Sequence, residues 1–203
     1  MTYSIEDKIL RKIYAKGRGW VFSGKDFVLI ANRSAIDVSL HRLVQKGTIR
    51  RAVRGIYDYP KYSDLLQKRL SPDMDGIAQA IARKFAWRIQ PSGGVALNIL
   101  GLSTQVPSKY LYLSDGPTRR FSIRNTSLNF QTTSLKEVGF KYHESQTIVV
   151  ALKALGKDHI NQSTIDTISE WVDPAMRQKI LKDSKTVSTW IYDNIRKVCH
   201  SGT

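Results

Sequence analysis

The first sixty residues alternate between helical and strand-like spacing of apolar positions. A first helix is predicted from Ser4, which can form a capping box with Asp7, to the turn at Gly17-Arg18-Gly19. Its buried face is formed by apolar residues three or four positions apart: Ile5, Ile9, Leu10 and Ile13. Trp20-Val21-Phe22 is predicted to be a short strand that pairs with a later hairpin. Ser23–Ala31 is predicted to be a second short helix, with these residues buried: Phe27, Val28 and Ile30.

The stretch from Arg33 to Tyr57 predicts a capped helix followed by a hairpin. Ser34 is positioned to cap the helix, and Lys46-Gly47 ends it, since glycine readily adopts the positive φ needed there. The buried stripe repeats at i, i+4, i+7 and i+8: Ile36, Leu40, Leu43 and Val44. Two strands follow, Thr48–Arg51 and Gly55–Tyr59, joined by a turn at Ala52-Val53-Arg54. This order of elements is typical of a winged helix-turn-helix, whose second helix enters the major groove of DNA.

Polar side chains off this apolar stripe are candidates for contact with DNA. On the helix they are Arg33, Ser34, Asp37, Ser39, His41, Arg42, Gln45 and Lys46, and on the hairpin Arg50, Arg51 and Arg54. Arginine beside Ser, His and Gln offers both anchoring on phosphates and bidentate contact with base edges. For any single charge, a solvated helix face or an ordinary hairpin remains the alternative.

Beyond residue 60 the spacing predicts a second domain and an α+β fold class for the whole chain. Pro60–Pro72 is polar and basic and is predicted to join domains spanning residues 1–60 and 61–203. A helix beginning at Ser71-Pro72 is followed by a compact helix over Val95–Leu100. Between Lys109 and Thr133 the period changes to two, which predicts a small antiparallel sheet. C-terminal helices are predicted near residues 145–155, 163–171, 174–183 and 186–198.

The charge of the chain is strongly positive and unevenly distributed. The formal net charge is +15, from 32 Lys and Arg against 17 Asp and Glu. Residues 1–60 and residues 61–141 each hold 12 basic and 5 acidic side chains, an excess of +7, whereas residues 142–203 hold 8 and 7. Such a surface favours a polyanion, through phosphate neutralisation and counterion release. It would also attract an acidic protein.

The numbers and positions of cysteine, histidine and apolar residues limit the cellular compartment and the kinds of site that the sequence predicts. Cys199 is the single cysteine, which excludes an intramolecular disulfide framework and fits a reducing cytoplasm. The charged and amphipathic first residues do not predict a signal peptide. The sequence has no apolar run near the roughly 20 residues of a membrane helix, so no membrane partner is predicted. The four scattered histidines lack metal-ligand spacing, and no metal site or other cofactor is predicted.

Two motifs resemble those of AbiEi-type antitoxins from abortive-infection (type IV) toxin–antitoxin systems. The run RLVQKGTIRRAVRGIYDYP is similar to the end of that family's winged-helix domain. The run PSGGVALNILGLSTQVP resembles the more specific signature that opens its antitoxin domain. The order of the motifs matches, and the resemblance spans residues 5–155 but weakens over the C-terminal helices.

This resemblance implies two roles. The N-terminal domain would bind double-stranded DNA at operator repeats in its own promoter and repress the operon. The second domain would counter a cognate toxin, usually a nucleotidyltransferase-like protein encoded next door. Direct contact with the toxin is not implied, because neutralisation in such systems often proceeds without a stable complex.

Other uses of the charge stay open at this point. Arg119, Arg120 and Arg124 form either a solvated strand edge or an extension of the nucleic-acid surface. The neighbouring aromatic residues could stack on bases or pack in a core: Tyr110, Tyr112 and Phe121. A protein-interaction module that grips an acidic toxin, or an RNA-binding module, is the alternative to a DNA-binding repressor.

An enzyme is not predicted, and no catalytic residue is assigned. Ser92-Gly93-Gly94 before a helix could cradle a phosphate. However, nucleotidyl transfer needs paired carboxylates for metal ions, and the only close pair, Asp73 and Asp75, lies upstream and fits a helix N-terminus. Asn98, a polar residue in an apolar helix, is expected to hydrogen-bond a neighbouring turn.

Overall fold

The computed structural model describes residues 3–105, 107–133 and 139–200 of an α+β protein. Val106, which belongs to the second motif, lies outside the described residues. The chain divides into two compact units. The first comprises residues 1–87 with 121–124, and the second comprises residues 88–120 with 125–203.

The first unit alternates helices with short strands. Its elements, in chain order, are α1 (Ile5–Lys16), β1 (Val21–Ser23), one turn of 3-10 helix (Gly24–Phe27), α2 (Arg33–Gln45), β2 (Arg50–Val53), β3 (Ile56–Asp58), β4 (Tyr62–Ser63), β5 (Lys68–Arg69) and α3 (Met74–Phe85). Three of the strands form an antiparallel sheet in the order β1-β3-β2. Strands β4 and β5 form a separate two-stranded hairpin.

Helix α1 begins as the sequence predicts. The Ser4 hydroxyl accepts from the Asp7 amide at 3.1 Å, and the Asp7 carboxylate accepts from the Ser4 amide, which completes the capping box. Hydrogen bonds from Ser4 also lower the pKa of the Asp7 carboxyl below its ordinary value. Ile9 and Ile13 are fully buried, whereas Ile5 is exposed.

The predicted second helix over Ser23–Ala31 is wrong. Ser23 and Asp26 cap only a single 3-10 turn, and the Ile30 amide then bonds the Phe27 carbonyl at 2.8 Å. Phe27 is fully buried against Phe22, with ring centroids 5.4 Å apart. Val28 is 58% exposed instead of buried, because the helix that would have turned it inward does not continue.

Helix α2 forms where its apolar stripe predicts, but a different residue caps it. The Asn32 side chain accepts from the Ala35 amide at 3.0 Å, so Asn32 and not Ser34 is the N-cap. Ile36, Leu40 and Leu43 are fully buried in a core shared with α1, β1 and the 3-10 turn. Gly47 adopts a φ of +69° at the end of the helix.

The first unit extends past the boundary predicted at residue 60. Helix α3 packs on β1, where a β-carbon added to Gly76 would stand only 2.9 Å from a methyl carbon of Val21. Arg83 strengthens this junction by donating to the Val21 carbonyl at 2.8 Å and to the Asp26 carboxylate at 3.2 Å. The structural division therefore follows α3, at residue 87, rather than the polar segment after residue 60.

The second unit combines a small sheet with the C-terminal helices. Its elements are β6 (Ile89–Pro91), α4 (Gly93–Ile99), β7 (Lys109–Ser114), β8 (Arg119–Ile123), β9 (Thr126–Thr132), α5 (His143–Leu155), α6 (Gln162–Trp171), α7 (Arg177–Asp183) and α8 (Thr189–His200). Residues 121–124 at the end of β8 are grouped with the first unit. The four C-terminal helices lie close to the predicted segments and bury one apolar core.

The sheet is mixed, not purely antiparallel as predicted. Its order is β6-β7-β9-β8, with β6 antiparallel and β9 parallel to β7. Strand β9 therefore separates two strands that are consecutive in the sequence. Tyr112 on β7 and Phe130 on β9 are partners in the register, and both are buried with ring centroids 6.0 Å apart.

We predict a large difference in stability between substitutions at two adjacent apolar residues. Phe27→Ala should lower the free energy of unfolding by about 3–5 kcal/mol, because it leaves a cavity between α2 and the Phe22 ring. Val28→Ala should change it by less than about 0.5 kcal/mol, because this side chain is largely in solvent. Urea denaturation of both variants measures the difference, and equal losses would contradict the single-turn geometry.

Candidate nucleic-acid interface

The exposed side of α2 carries one continuous row of side chains. Ser34, Val38, His41 and Gln45, which we call the α2 stripe, follow one another at i, i+4, i+7 and i+11 and are all exposed. This spacing places them on one face of the helix, opposite the buried stripe. Val38 is 48% exposed and was missed by the sequence reasoning, which considered only polar residues. Its spacing from Ser34 and His41 was the signal that could have found it.

Ser39 does not belong to this face. Its side chain is buried, and its hydroxyl donates to the Ala35 carbonyl one helical turn earlier at 2.8 Å. The prediction that Ser39 contacts DNA is therefore wrong. A small hydroxyl satisfied by its own helix is an ordinary way to fill a position at the edge of the buried stripe.

Two of the predicted cations on α2 have acidic partners on the same unit. Arg33 Nε lies 2.9 Å from an Asp37 carboxylate oxygen, with both side chains mostly exposed. Lys46 Nζ pairs with the carboxylate of Glu6 on α1. The guanidinium group of Arg42, which lies between them in the sequence, has no hydrogen-bond or ion-pair partner within the described part of the chain. The exposed face therefore has one uncompensated arginine, beside an Arg33–Asp37 pair that is weak because water screens it.

Arg50 is a structural residue, and its assignment to the DNA contact surface is wrong. Its guanidinium forms two bonds to the Asp58 carboxylate, at 2.6 and 3.0 Å, and Nη2 also donates to the Leu70 carbonyl at 3.0 Å. Asp58 is 2% exposed. Arg50 and Asp58 are partners in the β2–β3 register, so the ion pair ties the two strands together on the inner side of the hairpin.

The other two arginines of the hairpin point into solvent. Arg51 follows Arg50 on β2 and is exposed on the opposite face, and Arg54 is exposed in the turn between β2 and β3. Neither guanidinium group has a hydrogen-bond or ion-pair partner among residues 3–105, 107–133 and 139–200. We call Arg51, Arg54 and Gly55 the basic turn.

Helix α3 adds a further cation to the basic turn. Lys84 Nζ donates to the Arg54 carbonyl at 3.2 Å, beside Gly55, which has a φ of +76°. The sequence reasoning missed this residue because Lys84 is thirty residues away along the chain. Only the packing of α3 on the first unit brings the two together.

The arginines predicted after residue 118 are exposed, whereas two of the neighbouring aromatic residues are buried. Arg119, Arg120 and Arg124 are all exposed, and Arg124 occupies the turn between β8 and β9 with a φ of +53°. Tyr110 and Tyr112 are 8% and 0% exposed, so they pack in the core and are not available to stack on bases. Phe121 is half-buried.

The first of the two glycines at the start of α4, Gly93, is explained by packing. A β-carbon on Gly93 would stand 2.8 Å from the β-carbon of Ala154, so glycine permits the close approach of α4 to α5. Asn98 on α4 donates to the Gln105 carbonyl at 3.1 Å, as expected for a polar residue that holds a neighbouring turn. The second motif therefore has a structural role in this unit.

Groups considered for catalysis also have structural roles. Asp73 caps α3 by accepting from the Asp75 and Gly76 amides. Burial raises the pKa of the Cys199 thiol, which disfavours the reactive thiolate.

Within the described residues, no three His, Cys, Asp or Glu side chains cluster in a way that could hold a metal ion. None of the helices in the described part of the chain is long and apolar enough to cross a membrane.

The chain belongs to DUF6088, a family of unknown function, which it matches over residues 8–180. This match covers the first unit from α1 onwards and most of the second. A search of curated proteins finds no match to the chain.

We predict that Asp58 is far more important for stability than the other acidic partners in the first unit. Asp58→Ala should lower the free energy of unfolding by about 3 kcal/mol, because it leaves the Arg50 guanidinium unpaired in a largely buried site. Asp37→Ala, which removes an exposed partner of an arginine, should cost less than about 1 kcal/mol. Urea denaturation compares them, and a small loss for Asp58→Ala would contradict the structural role of this pair.

Proposed function

We propose that the first unit is a winged helix-turn-helix that binds double-stranded DNA, and that the protein represses its own operon as an antitoxin-type regulator. In this proposal α2 is the recognition helix and the β2–β3 hairpin is the wing. The observation that carries the proposal is the pairing of an exposed, chemically mixed helix face with a basic turn whose two guanidinium groups lack partners within the described residues.

The composition of the α2 stripe suits the reading of base edges. Gln45 can make a bidentate contact with adenine, Ser34 and His41 can hydrogen-bond base edges, and Val38 offers an apolar contact for a thymine methyl group. These residues lie in one row on a helix of 13 residues, a length of about 20 Å. The diameter of an α-helix with its side chains, about 10–12 Å, fits the width of the major groove, about 12 Å.

The basic turn suits contact with the DNA backbone. Arg51 and Arg54 are exposed without an acidic partner in the described chain, so phosphates could neutralise them without breaking an existing ion pair. Lys84 holds this turn by donating to the Arg54 carbonyl, and glycine at position 55 leaves room for the lysine side chain. Contacts of this kind position a protein on DNA and contribute affinity without reading sequence.

The segment between β1 and α2 departs from the usual order of elements in a winged helix-turn-helix, which has a helix there. One 3-10 turn, Gly24–Phe27, takes its place between β1 and α2. Phe27 still supplies the buried contact that such a helix makes with the recognition helix. The proposal therefore keeps α2 and the hairpin as the DNA-contacting parts and assigns no DNA contact to this turn.

The antitoxin role rests on the sequence resemblance in the second unit. The PSGGVALNILGLSTQVP motif builds α4 and its following turn, so it supports a shared fold with AbiEi-type antitoxins more strongly than a shared contact residue. The proposed partner is a cognate toxin, with direct contact left to experiment. Action in the cytoplasm fits both the repressor role and the single buried cysteine. A protein-interaction or RNA-binding module remains the alternative function.

We predict specific DNA binding that depends on the basic turn. Fluorescence anisotropy should detect preferential binding to a duplex from upstream of the gene over a scrambled duplex, and the preference should survive raised salt. Replacing Arg51 and Arg54 by Glu should weaken binding to both duplexes and flatten the salt dependence, because phosphate contacts are lost.

Two controls make this measurement specific to the proposed site. Lys157→Glu with Lys185→Glu changes the net charge equally on exposed residues of the second unit, and should leave the operator preference intact. Gln45→Ala should instead lower the preference for the operator duplex over the scrambled duplex. The difference between the two binding free energies should fall by about 1–3 kcal/mol. Equal, salt-sensitive binding of the wild-type protein to both duplexes would contradict the repressor proposal and favour a general basic surface.

We predict that the protein counters the product of the adjacent gene. Co-expression should restore growth of cells that produce this toxin, and it should do so with the Arg51→Glu, Arg54→Glu variant as well if the second unit carries the activity. Co-purification tests whether the two proteins bind directly. A toxin that stays active in cells with this protein in excess would contradict the antitoxin role.

A further inference from the structure

The β4–β5 hairpin ends in a projecting turn that exposes two leucines. Leu65 is 92% exposed and Leu66 is 53% exposed, in the turn formed by residues 64–67. We call this turn the leucine tip. Side chains this exposed contribute little to the folding of their own unit, because burial is the source of apolar stabilisation. Single exposed leucines are common, but an adjacent pair at the end of a projecting hairpin indicates a contact site.

The leucine tip is held in a defined conformation. The Leu66 amide donates to the Ser63 hydroxyl at 3.2 Å, and the Gln67 side chain donates to the Asp64 carbonyl at 2.6 Å. The Tyr62 hydroxyl donates to the Gln67 side chain at 3.1 Å, across the base of the turn. These bonds order the turn before any partner binds, which reduces the entropy cost of using it as a contact.

The base of the hairpin is fixed to the same elements that form the proposed DNA surface. The Leu70 amide donates to the Lys61 carbonyl, and the Leu70 carbonyl accepts from Arg50 of β2 at 3.0 Å. The Arg69 guanidinium lies beside the end of α2, where a β-carbon on Gly47 would stand 3.9 Å from Nη2. The hairpin therefore adjoins both the recognition helix and the wing of the proposed fold.

The charge around the leucine tip favours a polyanion. Lys68 and Arg69 are exposed on β5, and neither side chain has an ion-pair or hydrogen-bond partner in the described ranges. Lys61 at the start of the hairpin is also exposed, against one acidic residue, Asp64. An acidic or neutral protein surface could cover the leucines. A phosphate backbone, however, could also neutralise the cations that flank the leucines along the whole hairpin.

We propose that the β4–β5 hairpin is a second DNA-contacting element, in which Lys68 and Arg69 bind phosphates and Leu65-Leu66 wedge into the minor groove. Apolar side chains inserted between base steps partly unstack them and bend the duplex, and flanking cations hold the bent backbone. The inference rests on the proposed function of the first unit, and it adds a shape-reading site next to the α2 stripe.

The test uses the full-length protein and a 30-bp duplex from upstream of its gene, with a donor and an acceptor dye at the two ends. The wild-type protein should raise energy transfer between the ends, because a bent duplex brings them closer. Leu65→Ala with Leu66→Ala should remove most of this rise and weaken binding by about tenfold. It should leave the salt dependence unchanged, since the phosphate contacts remain.

Two further variants separate the parts of the proposal. Lys68→Glu with Arg69→Glu should weaken binding and flatten the salt dependence. Leu29→Ala is the matched control, because Leu29 is 96% exposed in the first unit but lies outside the hairpin. It should change neither bending nor affinity. Thermal unfolding of each variant verifies that the fold is intact, as expected for substitutions of exposed side chains.

The outcomes distinguish this inference from the proposed function. A wild-type protein that binds no duplex would overturn both. Wild-type binding with unchanged bending and affinity in the leucine variant would overturn the wedge alone and leave the α2 and wing contacts standing. Loss of self-association or of toxin binding in the leucine variant, with DNA binding intact, would reassign the tip to a protein contact and also overturn the proposal.

Discussion

The ion pair between Arg50 and Asp58 is the interaction on which the exposed surface of the first unit depends. It joins β2 to β3 inside one hairpin, and the same guanidinium reaches the Leu70 carbonyl at the end of the next hairpin. One buried carboxylate therefore fixes the bases of two projecting loops. Because an unpaired charge in this position is costly, the pair allows little variation in how the loops are held.

The division between paired and unpaired cations explains which part of the basic surface is available to a ligand. Within the first unit, the paired basic residues are Arg33, Lys46, Arg50 and Arg83, each with an acidic partner. The charged side-chain groups of five other basic residues have no ion-pair or hydrogen-bond partner among the described residues: Arg42, Arg51, Arg54, Lys68 and Arg69. The latter group lies on α2, in the basic turn and on β5. A polyanion would meet these cations without displacing an existing partner, so the cost of binding is lower there.

The second unit combines a close helix–helix contact at a glycine with an aromatic pair in its sheet. Gly93 on α4 lets that helix approach Ala154 on α5, and the parallel pairing of β7 with β9 places Tyr112 beside Phe130 in the core. The motif that resembles an antitoxin signature is thus embedded in packing and in the Asn98 hydrogen bond to Gln105. This explains how the motif can mark a fold through packing alone.

Local spacing in the sequence determined the α+β class, the extents of α1 and α2 and the positions of the C-terminal helices. Apolar residues that recur three or four positions apart over ten or more residues form one buried face on a helix, so the pattern predicted these long helices, whereas it failed for the short segment Ser23–Ala31. It also located the exposed Arg51 and Arg54. Strand alternation required that Arg50 and Arg51 face opposite ways, but it did not decide which of them would be buried.

Tertiary structure decided the rest, because the deciding contacts join residues far apart in the chain. Register with Asp58 and the carbonyl of Leu70 turned Arg50 inward, and the packing of α3 on β1 brought Lys84 to the basic turn. The early end of the 3-10 turn exposed Val28, and the insertion of β9 beside β7 made the sheet mixed. None of these outcomes is encoded in the spacing of a single segment, since each depends on which surfaces meet when the chain folds.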